Sequence, residues 1–237
     1  METIKTSIGL DGCKRGWIGV YRNIHTQQLE THIFERIELV NPSQFNCIAI
    51  DIPIGLPDLG SRDCDIEARR ILRSRRSCVF PAPIRPVMVA KTYEAACEIR
   101  FRLDGKKISK QTFNIMPKIL EVDNLLQNNR ALRKCIFEVH PEVSFCIMNG
   151  GIPLQHKKKR SAGKHERIRL VDGCFGARSF TRLANSLDAH DGWADDDLLD
   201  ACAALWTAEK IVKGASKSLP EESINPDSTG LPMRIVF

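Results

Sequence analysis

Two strand-like runs each end in an aspartate, Ile8-Gly9-Leu10-Asp11-Gly12 and Ile48-Ala49-Ile50-Asp51-Ile52-Pro53, and side-chain alternation fixes the company each aspartate keeps. In the first run Ser7, Gly9 and Asp11 share one face, with Ile8 and Leu10 opposite. In the second Cys47, Ala49 and Asp51 share a face, with Ile48 and Ile50 opposite. Both carboxylate faces are lined by small residues. Near the C-terminus a helical pattern opens with Asp195-Asp196-Asp197. On it Asp197, Ala201, Ala204 and Ala208 form one stripe, with Asp200 on its edge. A small-residue stripe can lie close against a small-residue sheet face, so carboxylates from three distant segments are expected to meet at one end of that contact.

The remaining pattern fills in an α/β fold. Strands are expected at 4–11, 16–24 and 28–37, joined by short turns, with an apolar fourth strand at 46–52. Pro53, Pro57 and Gly60 then break the pattern, and Ser61 is expected to cap a basic helix over 62–75. Three prolines make 77–90 an irregular loop. Helices are expected at 91–103 and 115–128, a fifth strand at 134–140, and a helix opening at Pro141. The basic segment 155–164 reads as a loop, followed by a helix at 164–171, a long last helix at 195–213 and a short strand at 233–237.

At 237 residues the chain has room for one large domain. Its 43% hydrophobic and 27% charged content is ordinary for a soluble protein, and no apolar run is long enough to cross a bilayer. Met1-Glu2-Thr3-Ile4-Lys5 leads straight into a strand pattern without a signal-peptide core. Nine cysteines, an odd number without a C-x-x-C pair, fit buried free thiols and a cytoplasmic location better than disulfides or a zinc cage. The net charge of +6 permits a polyanionic partner without requiring one.

Buried acids need a partner, hydrogen bonds or a cation. A set of carboxylate oxygens suits Mg²⁺ or Mn²⁺, and such ions can activate water for phosphodiester cleavage. Each acid also has a structural reading: Asp11 as a turn former, Asp51 as an acceptor for nearby backbone, and Asp195 to Asp197 as a helix cap. Glu138 in Phe137-Glu138-Val139-His140-Pro141-Glu142 is long enough to reach the same place. His140 on its face could orient it or move a proton, with a satisfied core histidine as the alternative. Arginines at 62, 69, 70, 73, 75, 76 and 85, and the cluster His156-Lys157-Lys158-Lys159-Arg160 with Lys164 and Arg167, are candidates for holding phosphates. A solvated charge run is the alternative for the lysines. An internal ion pair with Asp65 is the alternative for Arg62. Trp17, Trp193, Tyr21 and Tyr93 are not spaced as a single-strand stacking platform.

Taken together, these segments resemble the family catalogued as domain of unknown function 429. The resemblance rests on Gly9-Leu10-Asp11-Gly12-Cys13 with Gly16-Trp17, and on Asp51-Ile52-Pro53-Ile54-Gly55-Leu56-Pro57. It extends through Arg62-Asp63-Cys64-Asp65 with Ala68-Arg69, and Ser77-Cys78-Val79-Phe80-Pro81-Ala82-Pro83. Gln111, Lys118 to Asp123, Glu138 to Glu142, Lys157 to Lys159 with Gly163 and Arg167, and Asp197 with Asp200-Ala201 complete it. It implies a ribonuclease-H-like domain over 1–237. The sheet would be five-stranded and mixed, in order 3-2-1-4-5, flanked by helices, with a helical and irregular insertion at about 54–133.

It also implies a metal-dependent nuclease. Asp11, Asp51, Asp197 and Asp200 would hold Mg²⁺ or Mn²⁺. On this reading Glu138, which is not at the fold's usual glutamate position, or His140 is expected to position water, and Arg62, Arg69, Lys157, Lys158 and Arg167 to bind DNA or RNA. A non-catalytic nucleic-acid-binding or scaffold domain is the main rival. ATP-dependent phosphoryl transfer ranks lower, because the chain has room for only one such domain and no G-x-x-x-x-G-K-[ST] loop.

Overall fold

Residues 6–237 are described here from a computed structural model; the reading of 1–5 lies outside them. The first three strands, β1 (Thr6–Cys13), β2 (Gly16–Arg22) and β3 (Leu29–Phe34), pair antiparallel in sequence order, and β2 and β3 are rich in β-branched and aromatic residues. β4 (Phe45–Ile50) lies parallel to β1, and β5 (Ile136–Glu138) parallel to β4. The sheet order is β3-β2-β1-β4-β5, the expected five-stranded mixed sheet. Its register pairs Leu10 with Ile50 and Ile50 with Glu138. The carboxylates of Asp11 and Asp51 therefore follow one residue beyond a shared rung.

The two faces take different layers. Ile8, Leu10, Trp17, Ile48 and Ile50 pack with Ile119, Val122 and Leu126 of a helix, α3 (Lys110–Asn128). That helix belongs to the segment expected as an insertion. The segment also contains α1 (Asp63–Leu72) and α2 (Tyr93–Asp104), and it supplies one of the sheet's covering layers. The opposite face, with Cys47 and Ala49, takes Ala204 and Ala208 of α7 (Asp195–Val212). Gly9 makes this approach close: a Cβ there would stand 2.0 Å from the Leu205 backbone nitrogen and 2.3 Å from the Ala201 carbonyl oxygen. Around this packing lie α4 (Pro141–Met148), α5 (Ser161–Phe175) and α6 (Ser179–Asn185), with β6 (Ser218–Leu219) and β7 (Ile235–Val236) as a separate antiparallel pair.

Several boundaries differ from expectation. Ser61 does not cap α1. Arg62 is the N-cap residue and contributes no side-chain cap bond, because its guanidinium is committed elsewhere. That helix stops at Leu72, where Arg73 adopts φ +46°, and the chain continues as a 3-10 segment. α3 begins at Lys110, not 115, because the Ser109 hydroxyl accepts the Thr112 N–H at 3.0 Å; Pro117 is carried in its interior. α6 had no counterpart in the reading. Among the described residues no helix is long and apolar enough to cross a membrane.

Candidate active site

Asp11 is buried near the C-terminal end of β1, Asp51 follows β4 directly, and Asp197 and Asp200 stand on the first turns of α7. The packing of α7 across Gly9 brings all four together. Asp11 Oδ1 accepts the Gly12 N–H at 2.7 Å, but Asp11 lies inside β1 opposite Ile18 and the turn to β2 falls at 14–15, so it is not the turn former expected. The Asp51 N–H donates to the Leu10 carbonyl at 3.0 Å, while its carboxylate accepts no hydrogen bond among the described residues. Asp197 Oδ2 accepts the Ala194 N–H at 2.9 Å and so secures the helix start. Asp200 is buried; its Oδ2 accepts from Lys158 Nζ at 2.8 Å, and its Oδ1 is buried with no partner.

The electrostatics bear out that these groups share one environment. Burial pushes the Asp11 carboxyl well above the usual carboxylate range, and Asp51, Asp200 and Asp197 push it further while Lys158 opposes. Asp51 is raised by burial and by Asp200, again against Lys158. Asp200 is pushed up to about 6 by burial, against the pull of Lys158. Asp197 is also raised by burial, with the Ala194 N–H and Lys158 acting the other way. Each of these acids favours its protonated form in the folded state. Their contribution to stability is therefore full below the ordinary carboxylate pKa and is lost as pH rises through the raised one.

The structure relocates several expected site residues. Glu138 is not open to water or metal. Arg62 grips both its oxygens, at 2.6 and 2.7 Å, and the Ile54 N–H donates to it at 2.7 Å. Burial pushes Glu138 up to about 7, against the pull of Arg62 and Ile54. Arg62 is 2% exposed and its other edge binds Asp65 at 2.6 Å. This is the internal-pair alternative, and phosphate binding by Arg62 is ruled out because its donors face inward and are already used.

Arg167 is corrected on the same ground. It is 1% exposed, bound to Glu142 and to the Gly163 carbonyl at 2.7 Å. Arg69 directs Nε and Nη2 to the Val79 carbonyl, at 3.1 and 2.8 Å, leaving Nη1 free of that contact. Lys157 is exposed. His140 does not orient Glu138. Its Nδ1 is buried and unpartnered, and burial lowers its pKa.

Two arrangements were not expected, although Lys118 stands among the residues that carry the resemblance and Arg85 among the phosphate candidates. Lys118 lies near enough to Asp11, Asp197 and Cys13 for their charges to bear on it, and it packs 4.5 Å from the centre of the Trp17 ring. A helix lysine carries no spacing signal that would announce this. The second is the network in which Arg85 forks onto Asp123 at 3.1 and 3.0 Å and also pairs with Asp227, whose carboxylate accepts the Leu56 and Leu231 N–H groups at 2.9 Å each. It ties the loop after β4 to the C-terminal segment, so Arg85 serves the fold.

The donor set is made of carboxylate oxygens, and the orphaned Asp200 Oδ1 is a buried acceptor awaiting a partner. That chemistry fits Mg²⁺ or Mn²⁺. Among the described residues no group of three or more His, Cys, Asp or Glu side chains is arranged to hold an ion.

Compared with curated proteins and with solved structures, the chain shows significant similarity to none. A family model described as "Protein of unknown function (DUF429)" matches residues 9–224, and the chain belongs to that family.

Proposed function

We propose that this chain is a divalent-cation-dependent nuclease in which Asp11, Asp51, Asp197 and Asp200 hold Mg²⁺ or Mn²⁺. The observation that carries the reading is the convergence of these four carboxylates from β1, the end of β4 and α7, each with its pKa raised by burial. A bound ion would supply Lewis-acid stabilisation of a phosphodiester's developing charge and a water of lowered pKa. With Glu138 locked to Arg62, His140, a buried imidazole whose pKa is lowered by burial, is the group of this segment left to accept a proton. Lys157, Lys158 and the free edge of Arg69 are the cations left to hold backbone phosphates of DNA or RNA.

A second reading, a non-catalytic nucleic-acid-binding or scaffold domain, is favoured by one observation: Lys158 already offsets charge in the cluster without any metal. Cleavage separates the two. End-labelled single- and double-stranded DNA and RNA are incubated with the protein in Mn²⁺, Mg²⁺ or EDTA. The nuclease reading expects cation-dependent cutting that Asp51→Asn reduces by at least about 10–100-fold, the loss that removing even an outer-shell partner of a metal ligand causes. Binding of the same substrates without cutting in any cation would leave the scaffold reading.

A further inference from the structure

We propose that Lys158 is the resident counter-ion of the carboxylate cluster and that a divalent cation enters by displacing it. The inference rests on the metal reading above and adds how that site is regulated.

The loop carrying Lys158 is built to aim it. The Lys157 carbonyl packs against Gly163, where a Cβ would lie 2.1 Å from its oxygen, so only glycine allows the loop to sit so close to α5. The same carbonyl accepts the Arg160 N–H at 2.9 Å. On the other side, the His156 N–H donates to Glu166 at 3.0 Å, and buried Arg167 reaches the His156 carbonyl at 3.4 Å. Backbone before Lys158 is thus tied to α5, and the hydrogen bond from Arg160 to Lys157 closes the turn around it. The Lys158 side chain alone crosses to α7, with its ammonium 2.8 Å from Asp200 Oδ2.

The two partners are unequal. The Asp200 side chain is 4% exposed and cannot leave, whereas the Lys158 side chain is 41% exposed and can swing into solvent without disturbing the core. One ammonium also leaves the site short of positive charge. Its field reaches Asp11, Asp51 and Asp197 as well, yet it satisfies one oxygen of Asp200 and leaves Oδ1 buried without a partner. A lysine is a compact point charge with donors only for nearby oxygens, while a divalent ion gathers several oxygen ligands at once. Exchange therefore replaces a single ammonium contact with a multidentate one. It frees the lysine at the mouth of the site, beside Lys157, where an incoming phosphate would meet it.

Mn²⁺ titrations of the full chain at pH 7.5, followed by the electron paramagnetic resonance signal of free Mn²⁺, test this. Lys158→Met is expected to bind Mn²⁺ about tenfold more tightly than wild type, equivalent to about 1.4 kcal/mol. Lys158→Arg and the exposed neighbour variant Lys159→Met are expected to bind as wild type. In EDTA Lys158→Met is expected to melt below wild type and to recover on adding Mn²⁺. Gly163→Ala keeps the lysine but pushes its loop, and should tighten binding in the same direction. Wild-type binding with no gain in Lys158→Met or Gly163→Ala would overturn the counter-ion role and leave the metal reading standing. No Mn²⁺ binding by wild type or by Lys158→Met would overturn both.

Discussion

Gly9→Ala is expected to destabilise the protein by at least about 3 kcal/mol, the upper range for overpacking a rigid core. The added methyl would meet backbone, not a movable side chain: 2.0 Å from Leu205 N, 2.3 Å from Ala201 O and 2.7 Å from Ala204 C. Relief requires α7 to lift from β1, and the small-residue packing of Cys47 and Ala49 on Ala204 and Ala208 would open with it. Against a typical stability of about 5–15 kcal/mol, that loss moves the urea midpoint far down. Gly173→Ala is the control. Gly173 is exposed on α5 with nothing within 4 Å, and alanine there should raise stability by about 0.5–1 kcal/mol. A Gly9→Ala midpoint equal to wild type would show that α7 does not lie where the carboxylate cluster needs it.

Arg62→Leu is expected to cost about 3–5 kcal/mol, because it strands two buried carboxylates, Asp65 and Glu138, without their cation. Replacing Asp65 and Glu138 by leucine as well should restore only part of the loss. The Ile54 N–H at 2.7 Å and the Ala82 N–H at 3.2 Å would then lack their acceptors. Urea unfolding of the single and triple variants measures both effects. If Arg62 instead held substrate, Arg62→Leu would keep its stability and lose only nucleic-acid affinity.

The sheet and its carboxylate-bearing end were legible because strand alternation is local. Ser7-Gly9-Asp11 and Cys47-Ala49-Asp51 announce their faces, and the alanine stripe of α7 announces its partner. What stayed hidden depended on long-range pairing. Arg62 and Arg167 have the composition of a phosphate cluster; the i,i+3 spacing offered Asp65 as a partner for Arg62, but nothing local reveals the distant acids, Glu138 for Arg62 and Glu142 for Arg167. Lys158 shows the reverse. It sits in a run of lysines that reads as solvated charge, yet a fixed loop turns this one inward to Asp200. The earlier start of α3 was missed because one hydroxyl, that of Ser109, decides it.

The central claim is that Asp11, Asp51, Asp197 and Asp200 form one cation site. It is tested most directly by melting temperature in EDTA and in Mn²⁺ between pH 5 and 8, for wild type and for Asp11→Asn with Asp51→Asn. Raised carboxyls, with Asp200 at about 6, mean that the wild type in EDTA should lose stability as pH rises across this range, and the double variant should lose less. At pH 7.5, Mn²⁺ at about 100 times its Kd should raise the wild-type melting temperature by about 5–10 °C and leave the double variant unchanged. A wild type indifferent to Mn²⁺, or a double variant stabilised equally, would contradict the account.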